Sequence, residues 1–431
     1  MLTKKDVIQR AEEDHVKFVR LQFTDIFGML KNIAITVKDL PRVLEGFELF
    51  DSSAVDGIVT SSKKQIRLMP DPNTFVIFPW RPKEGAVARL ICDINNEDGT
   101  PYPGCSRNSL KKVLSNMKLK DIMILGSAKA EFYLFKQDEM GQPTSMTHDR
   151  GGFCDLTPLD LGENARREMV LTLEEMGFEI GSSHHEAGQG QHEIALKSDH
   201  ILSLADKIAT LRFVVRTIAQ RHGLHASFMP KPFSDMDGSA LQISFSLYKA
   251  LQNVFYSHQE NYQMSIEAQN FMAGILEHGR GLTAITNPLV NSYKRLIASK
   301  LSPNVLGWSV DNRATMLRIA QNSERELWLE VLSPDGCCNP YLALEVLLAA
   351  GIDGMEKSLE LRKPYVPDEL GEIVLPQNLN EALDLLVQDE LVQKVLGKHI
   401  VDLYYNLKKL EWQRYQKTIH PWERNEYLVK Y

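Results

Sequence analysis

The segment SSHHEAGQGQHEIALK, residues 182–197, is rich in side chains of the types that bind metal ions. Two glutamates bracket a glycine-rich turn and three histidines stand beside them: Glu186, Glu193, His184, His185 and His192. Magnesium and manganese prefer oxygen ligands, and a carboxylate beside a buried strand is costly unless a positive group meets it. The segment therefore predicts a site for a hard divalent cation, whereas histidines on a strand are more often structural.

A third glutamate fits the same pattern, because Glu131 in AEFYLF stands at the start of an apolar run. The alternative is that these carboxylates lie at strand edges in water or in salt bridges. Residue types alone leave both interpretations open.

Three arginines, Arg295, Arg313 and Arg318, stand close together along the chain in NSYKRL and WSVDNRATMLR. Guanidinium groups suit carboxylate or phosphate oxygens. The arginines predict an anion site, with surface salt bridges as the alternative.

The elements that must position these residues begin with strands. VKFVRLQFTDI and TFVIFPW alternate or run apolar with aromatic and β-branched residues, which is typical of a sheet. The stretch NEDGTPYPGCS then accumulates turn residues and indicates a boundary between domains 1–103 and 104–431.

Beyond this boundary the pattern becomes helical. SLADKIATLRFVVRTIAQRHG places its apolar residues along one stripe and stops at Gly223, a plausible helix end. From NPYLALEVLLAAGIDG onward the chain is nearly all helix. Short strands stand between the helices without a regular βαβ count, so the predicted fold class is α+β: AEFYLF, HEIALK and SALQISFSL.

Composition narrows the class of protein. The 431 residues are 43% hydrophobic and 24% charged, with a net charge of −7. No basic tract indicates nucleic acid or anionic membrane as a partner, and no run is long enough to span a bilayer. The acidic, amphipathic start is unlike a signal peptide. We expect a soluble cytoplasmic protein. Its five cysteines include no CxxC pair, which argues against a disulfide framework or zinc site.

The order and spacing of motifs along the whole chain resemble type I bacterial glutamine synthetase, the glutamate–ammonia ligase. The motifs are LFDSSAVDG, PDPNTFVIFPW, AEFYLF, SHHEAGQGQHEI, HGLHASFMPKP, TNPLVNSYKRL, WSVDNR, NPYLALEVLLAAGIDG and HPWERNEYLVKY. The resemblance implies a β-grasp-like domain over 1–103 and a catalytic domain with a curved antiparallel sheet over 104–431. It also implies a homo-dodecamer of two hexameric rings, with active sites between adjacent subunits.

The implied chemistry is phosphorylation of the glutamate side chain by ATP, followed by attack of ammonia on the acyl phosphate. Such a reaction uses two divalent metal ions, arginines at the moving phosphoryl group, and a carboxylate that accepts a proton from ammonium. By resemblance, these roles fall on particular positions. The first metal site falls on Glu131, Glu186 and Glu193; the substrate site on Arg295, Asp237 and Gly238; the ammonium site on Asp51; the phosphate and nucleotide sites on Arg313, Arg318, Arg325 and Ser246.

The second metal site departs from the family pattern. Lys129 and Gln242 stand where the family has a ligand glutamate and a ligand histidine, so that only Glu330 remains. At an effective dielectric of about 20, an ammonium and a divalent cation about 4 Å apart repel by roughly 8 kcal/mol before screening. The lysine and a metal ion should rarely coexist unless Lys129 turns aside or is uncharged.

Other substitutions fall in the same part of the implied machinery. Leu301 replaces the glutamate of the loop that completes the ammonium site, and Trp328 and Leu332 replace arginines near the nucleotide and phosphates. Ser244 and Gly181 replace two further nucleotide-site residues. These changes leave the second metal ion and ATP in doubt, while one magnesium or manganese ion is still expected.

Because the changes cluster by role, the leading hypothesis is a family member with little or no ligase activity. It would have a regulatory or scaffolding role and bind a glutamate-like molecule. The alternative is an active glutamine synthetase, or a glutamate–amine ligase with altered amine specificity, which Leu301 and Trp328 would favour. A third hypothesis has the terminal HPWERNEYLVKY contact a transcription regulator. Thr60 stands at the family's feedback-inhibition arginine, so glutamine inhibition is not expected.

Overall fold

A computed structural model of the chain describes residues 2–55, 57, 65–118, 121–298, 302–323, 326–367 and 373–431. Among these residues, no helix combines the length and apolar character needed to cross a membrane. The chain forms two sheets, each with its own hydrophobic core, and the mixed α+β fold class predicted from sequence is confirmed.

The N-terminal part builds a six-stranded sheet in the order β2-β1-β6-β4-β3, with β5 paired to β6. Its central pair, β1 and β6, runs parallel, while the other pairs are antiparallel. The elements are α1 (Lys4–Glu13), β1 (Val16–Thr24), β2 (Leu30–Thr36), α2 (Leu40–Leu44), β3 (Glu48–Asp51), β4 (Gln65–Pro70), β5 (Val76–Ile77) and β6 (Ala86–Asn96).

The strand predicted for TFVIFPW is much shorter than the motif, because only Val76–Ile77 pairs with β6. Phe78 and Trp80 leave the sheet and stack on each other with ring centroids 4.6 Å apart. Both rings also pack against Phe213, which belongs to the larger part of the chain. Aromatic burial between the two parts therefore overrides local strand propensity here.

The C-terminal part contains a ten-stranded sheet surrounded by helices. The main strand order is β14-β15-β16-β12-β7-β10-β9, with β8 and β11 beside β7 and β13 beside β12. The elements are α3 (Ser106–Lys118), β7 (Met123–Gln137), β8 (Pro143–Thr147), α4 (Glu163–Glu175), β9 (Ile180–His185), β10 (Gln191–His200), α5 (Ile201–Arg221), β11 (Leu224–Ser227), β12 (Leu241–Lys249), β13 (Gln252–Asn253), α6 (Ile266–Thr286), α7 (Val290–Leu296), β14 (Val305–Ser309), β15 (Thr315–Ser323), β16 (Glu326–Val331), α8 (Pro340–Lys357), α9 (Leu379–Leu386), α10 (Glu390–Lys417) and α11 (Pro421–Tyr427).

Long apolar helices cover one face of this sheet and leave the other face for polar residues. The α5 helix follows its predicted stripe and ends next to Gly223, whose φ of +71° is readily adopted by glycine. The α8 helix is buried over most of its length and packs on α3, α5, α6 and α10. A helix that is apolar nearly all round belongs in a core.

A buried ion network joins the two parts of the chain, and Arg107 at the start of α3 is its centre. Its guanidinium donates to Asp71 and Asp93 of the smaller part at 2.8 Å and to Asp206 of α5 at 2.8 and 2.9 Å. Tyr341 of α8 donates to the same Asp206 carboxylate at 2.7 Å. Since this arginine has carboxylate partners on both sides, the network fixes the smaller sheet against the larger part of the chain. The domain boundary at residues 103 and 104 remains a prediction.

Glu345 of α8 makes the stability of the fold depend on pH. The residue is fully buried; one carboxyl oxygen accepts from Ser109 at 2.6 Å, while the other has no partner in the described part of the chain. Burial raises the pKa of Glu345 from 4.5 to about 8. Between these values the folded protein holds a proton that the unfolded chain has released, so stability falls as the pH rises.

We expect Glu345→Gln to remove this dependence, because glutamine is neutral and can still accept from Ser109. The fall in the free energy of unfolding between pH 5 and pH 8 should shrink by on the order of 4 kcal/mol. Urea unfolding at both pH values measures this free energy, and Glu139→Gln, at an exposed position, is the control. Parallel pH profiles for the two variants would contradict the prediction.

Candidate functional site

The candidate residues on the strands of the larger sheet share one face, opposite the helices. Residues directly opposed on paired strands point to the same face, as do residues two apart on one strand. The opposed rows are His184–Glu193–Glu131, Lys129–Gln242 and Ser244–Glu330–Arg318. The sheet thus brings together carboxylates that are far apart in sequence.

Glu131 does not begin its strand, as the sequence predicted, but lies near the middle of the fifteen-residue β7. The strand extends back through LGSAKA, whose polar residues face the site rather than the core, so the sequence pattern does not indicate a strand there. One carboxylate oxygen of Glu131 accepts from the backbone of Ala240 at 2.9 Å, and the other from Gln242 Nε2 at 3.1 Å. Glu131 is therefore held from the neighbouring strand β12.

The three predicted metal-binding glutamates form a concentration of negative charge. Glu131 directly opposes Glu193 across β7 and β10, and like charges in that position destabilise a sheet. Burial, followed by the charge of Glu186, raises the pKa of Glu131 from 4.5 to about 8. Burial also raises the pKa of Glu193, although Lys129 and other nearby cations oppose the rise. A cation among these groups would remove a cost that the protein alone retains.

Among the described residues, one potential ligand set at the cluster contains a histidine that the sequence pattern treated as structural. Atoms of His184, Glu186 and Glu193 all lie within 4.8 Å of one another, and His184 Nε2 is 3.1 Å from a Glu186 oxygen. The half-exposed ring of Phe153 packs edge-on against His184 with centroids 5.3 Å apart. A metal position here would have an aromatic wall on one side.

The other two histidines of the segment support the site from behind. His185 is fully buried and bonds Asp149 at 2.9 Å, and the hydrogen bond from His185 lowers the pKa of Asp149 against the effect of burial. The same carboxyl accepts from Gly190 N at 2.9 Å in the turn between the glutamates. Asp149 and His185 therefore fix the turn. Local patterns do not reveal this role of Asp149, because it lies 36 residues before His185.

His192 belongs to a second buried contact. Its Nδ1 lies 2.8 Å from Arg166, which also pairs with Asp160 at 2.7 Å. Burial and the Arg166 charge hold the pKa of His192 well below its usual range. Although Asp149, Asp160, His185 and His192 are close enough to resemble a metal site, the arginine among them already supplies the positive charge.

The predicted substrate-side residues lie together at the edge of the carboxylate cluster. Arg295 is buried and donates to the carbonyl of Pro334 at 3.1 Å, while its Nε has no partner in the described part of the chain. A Cβ on Gly238 would lie 2.5 Å from Arg295 Cγ, so only glycine allows this approach. Gln191 holds the carbonyl of Gly238 at 3.1 Å, and Tyr133 holds that of Asp237 at 2.6 Å.

The surroundings of Glu330 differ from those of the carboxylate cluster. Arg318 donates to one Glu330 oxygen from Nε at 2.6 Å and from Nη2 at 2.5 Å. Lys129 Nζ lies 3.9 Å from the other oxygen. Gln242 is occupied with Glu131. Glu330 thus has two cationic neighbours, and this set of residues does not fit a second metal ion.

The residues assigned to the nucleotide side are mostly buried. Ser246 is fully buried, and its hydroxyl donates to the carbonyl of Leu327 at 3.0 Å while it accepts from Asn253 at 2.8 Å. Trp328 and Leu332 are also buried, and the Trp328 indole N–H has no acceptor among the described residues. Arg313 is exposed just before β15, and its charge reaches Glu193.

Among the predicted positions that the structure describes, Asp51 does not join this face of the sheet. Asp51 ends β3 in the smaller sheet, where its carboxylate accepts from Ser53 N at 2.9 Å. Arg325 and Leu301, as well as Thr60, lie outside the described residues. The described chain thus brings together the predicted metal and substrate positions, and Asp51 lies on the other sheet.

Comparison with known families and proteins gives matches over nearly the whole chain. Residues 15–97 match the glutamine synthetase β-grasp domain, and residues 103–427 match the glutamine synthetase catalytic domain. Glutamine synthetase of Clostridium saccharobutylicum is 45% identical over 439 residues, which cover 100% of this chain and 99% of the relative. Glutamine synthetase of Staphylococcus aureus is 41% identical over 442 residues with the same coverage.

Solved structures are similar over the same extent. An ADP complex of GmaS superposes with a TM-score of 0.90 at 30% identity, covering 98% of this chain and 99% of GmaS. A Plasmodium falciparum glutamine synthetase structure has a TM-score of 0.89 at 20% identity, covering 99% of both chains. At 20% identity, the similarity to the Plasmodium falciparum structure shows a common fold and no more.

Proposed function

Because the chain belongs to the glutamine synthetase family, we propose that it is an ATP-dependent ligase that joins an amine to the side-chain carboxyl of glutamate. The observation that carries this proposal is the carboxylate cluster, in which Glu131 and Glu193 oppose each other across two strands beside Glu186. A bound cation would neutralise the repulsion that these carboxylates retain in the folded chain. Full-length identity of 45% to a glutamine synthetase supports the same reaction class.

In the proposed reaction, Glu131, Glu186 and Glu193 hold one magnesium or manganese ion, with His184 beside them. The bound ion would neutralise this cluster and polarise an oxygen of the substrate. Arg295 would bind the carboxylate of glutamate, since its buried guanidinium still has an unpartnered Nε. Gly238 lets the loop 237–238 approach Arg295 closely enough to lie along the same substrate.

At the other end of the site, fixed protein cations would take over charge neutralisation at the phosphates. The described part of this sheet offers three basic residues here, Lys129, Arg318 and the exposed Arg313. Guanidinium and ammonium groups stabilise a transferring phosphoryl group electrostatically. The existence of an ADP complex of the relative GmaS supports nucleotide binding by this chain.

The second candidate function is a regulatory or scaffolding protein with little ligase activity. One observation favours it: Arg318 and Lys129 both neighbour Glu330, which leaves little unneutralised charge for a metal ion that would bridge ATP phosphates. Buried Trp328 and Leu332 also supply no cation where the family resemblance places arginines.

We further propose that the chain assembles as a dodecamer of two hexameric rings, in which Asp51 of one copy completes the amine site of the next. The exposed position of Asp51 on the smaller sheet supports this role. The C-terminal segment exposes Trp422, Leu428 and Val429, which supports contact with another chain or a regulator. Light scattering of the full chain and of a chain ending at residue 419 tests the assembly.

The function is tested by measuring ADP release with ATP, glutamate and manganese or magnesium, against a panel of ammonium and small alkylamines. The expected result is ADP release that requires glutamate, metal and at least one amine together. If no amine supports ADP release while one manganese ion per chain still binds, the second candidate function is correct. If neither occurs, both candidates are wrong.

A further inference from the structure

A cavity of about 920 Å³ lies between α5 and α10, and none of its lining residues belongs to the carboxylate cluster. Both helices pack on α8, and the turn between β1 and β2 closes one end of the gap between them. The volume lies within the range of about 300–1,000 Å³ that small-molecule sites occupy.

The walls of this cavity carry an excess of positive charge. Two arginines of α5 face three basic residues of α10, with one carboxylate among them: Arg212, Arg216, Lys408, Arg414, Lys417 and Glu411. The chain as a whole has a net charge of −7. Like charges that line a partly enclosed space repel one another, since the low-dielectric walls screen them poorly.

Most of these cations lack an acidic partner. Lys408 pairs with Glu411 at 2.8 Å, whereas Arg216, Arg414 and Lys417 have no carboxylate within 4 Å in the described part of the chain. Arg212 donates from Nη1 to two backbone carbonyls, and its buried Nη2 has no partner there. Burial and then the charge of Arg212 lower the pKa of Arg216, which reflects the cost of holding the two arginines together.

Apolar surface completes the cavity. Phe27 and Phe213 lie on its walls together with Leu30 of β2, Leu289 before α7, and Leu407 and Leu410 of α10. The Lys408 ammonium lies 4.9 Å from the centre of the Phe27 ring. A ligand that suits this cavity needs negative charge at one end and a hydrocarbon or aromatic body at the other.

We propose that this cavity is a binding site for an organic phosphate, separate from the site of the ligase reaction. The phosphate group would lie between Arg216 of α5 and Arg414 of α10 and accept hydrogen bonds from their guanidinium groups. The organic body would pack against Phe27 and Phe213. A dianion suits the cavity better than a single carboxylate because four positive charges remain after Lys408 and Glu411 neutralise each other.

The test uses phenyl phosphate as the probe and isothermal titration calorimetry on the full-length assembled protein. Phenyl phosphate should bind once per chain, whereas phenol, which lacks the charge, should give no measurable binding. The double variant Arg216→Gln/Arg414→Gln should weaken binding at least tenfold, since each lost charge-assisted contact has a large effect. Neither arginine forms a salt bridge with a described residue, although the Arg216 guanidinium lies 5.8 Å from the centre of the Phe228 ring, so the unfolding temperature of the double variant is measured to check that it folds.

The matched control is Arg81→Gln/Arg167→Gln, which removes the same charge from two exposed arginines outside the cavity. It should bind phenyl phosphate as the unmodified protein does. Equal weakening in both double variants would overturn the proposal, because it would show a general charge effect. No binding at millimolar phenyl phosphate would also overturn it and would indicate that another chain fills the cavity in the assembly. Binding lost only in Arg318→Gln would instead assign the probe to the ligase site.

Discussion

Replacing Glu193 by glutamine is expected to abolish tight manganese binding and to lower amine-dependent ADP release by at least about 100-fold. Loss of a group that only supports a metal ligand costs 10–100-fold in affinity or activity, so loss of a ligand should cost more. Glu193 is 5% exposed, directly opposes Glu131, and lies in the cluster with His184 and Glu186. The side chain keeps its size in the variant and loses only its charge.

The same substitution should stabilise the metal-free protein. Without metal, burial and then the charges of Glu186 and Glu193 raise the pKa of Glu131, so that the folded state carries a contribution from their mutual repulsion. Removing one charge lowers that repulsion, so the variant should unfold at a higher temperature than the unmodified protein in chelator. A variant that binds no metal because it is misfolded would unfold at a lower temperature, and the two explanations are thereby separated.

Glu179→Gln is the matched control, because Glu179 precedes β9 and its side chain is 76% exposed. It should leave manganese affinity, ADP release and the unfolding temperature unchanged. Unaltered metal binding in Glu193→Gln would show that the opposed carboxylates are not the metal site. The measurements are manganese titration calorimetry, coupled ADP detection and thermal unfolding with and without chelator.

The fold was largely predictable where local patterns suffice. The stripe of α5 and its end beside Gly223 follow from helical periodicity, and β1 follows from its run of aromatic and β-branched residues. The short β5 was not predictable, because Phe78 and Trp80 pack against Phe213, 133 residues or more along the chain. Distant burial decided the conformation of that segment.

The candidate site also depends on contacts between distant segments, which local patterns do not predict. Glu131 and Glu193 were identified by residue type and family resemblance, but their direct opposition depends on the pairing register of β7 and β10, which brings together two residues 62 positions apart. The position of His184 opposite Glu193 depends in the same way on the register of β9 and β10. The role of Asp149 in fixing the turn had no local signal at all, because its partners come from other segments.

Lys129 and Gln242, which replace two metal ligands of the family's second metal site, can be tested by restoring those ligands. Replacing them together by glutamate and histidine is expected to raise manganese binding from one ion to two per chain. The double variant would put a carboxylate and an imidazole on the same face of the sheet as Glu330, and it would remove the Lys129 ammonium 3.9 Å from the Glu330 carboxylate. Hard oxygen ligands and imidazole suit manganese.

Lys136→Glu is the control for the change in charge, since Lys136 lies on the same strand at an exposed position. The Lys136→Glu variant should still bind one manganese ion per chain. The double variant could also bind one manganese ion while keeping its unfolding temperature. In that case the second ion is excluded by Arg318, which lies 2.5 Å from Glu330, and not by Lys129. If two ions bind and ADP release rises with them, the altered positions limit the ligase reaction in the natural chain. Two ions without a change in ADP release would mean that Lys129 already neutralises the phosphates as well as a metal ion does, which the proposed active enzyme requires.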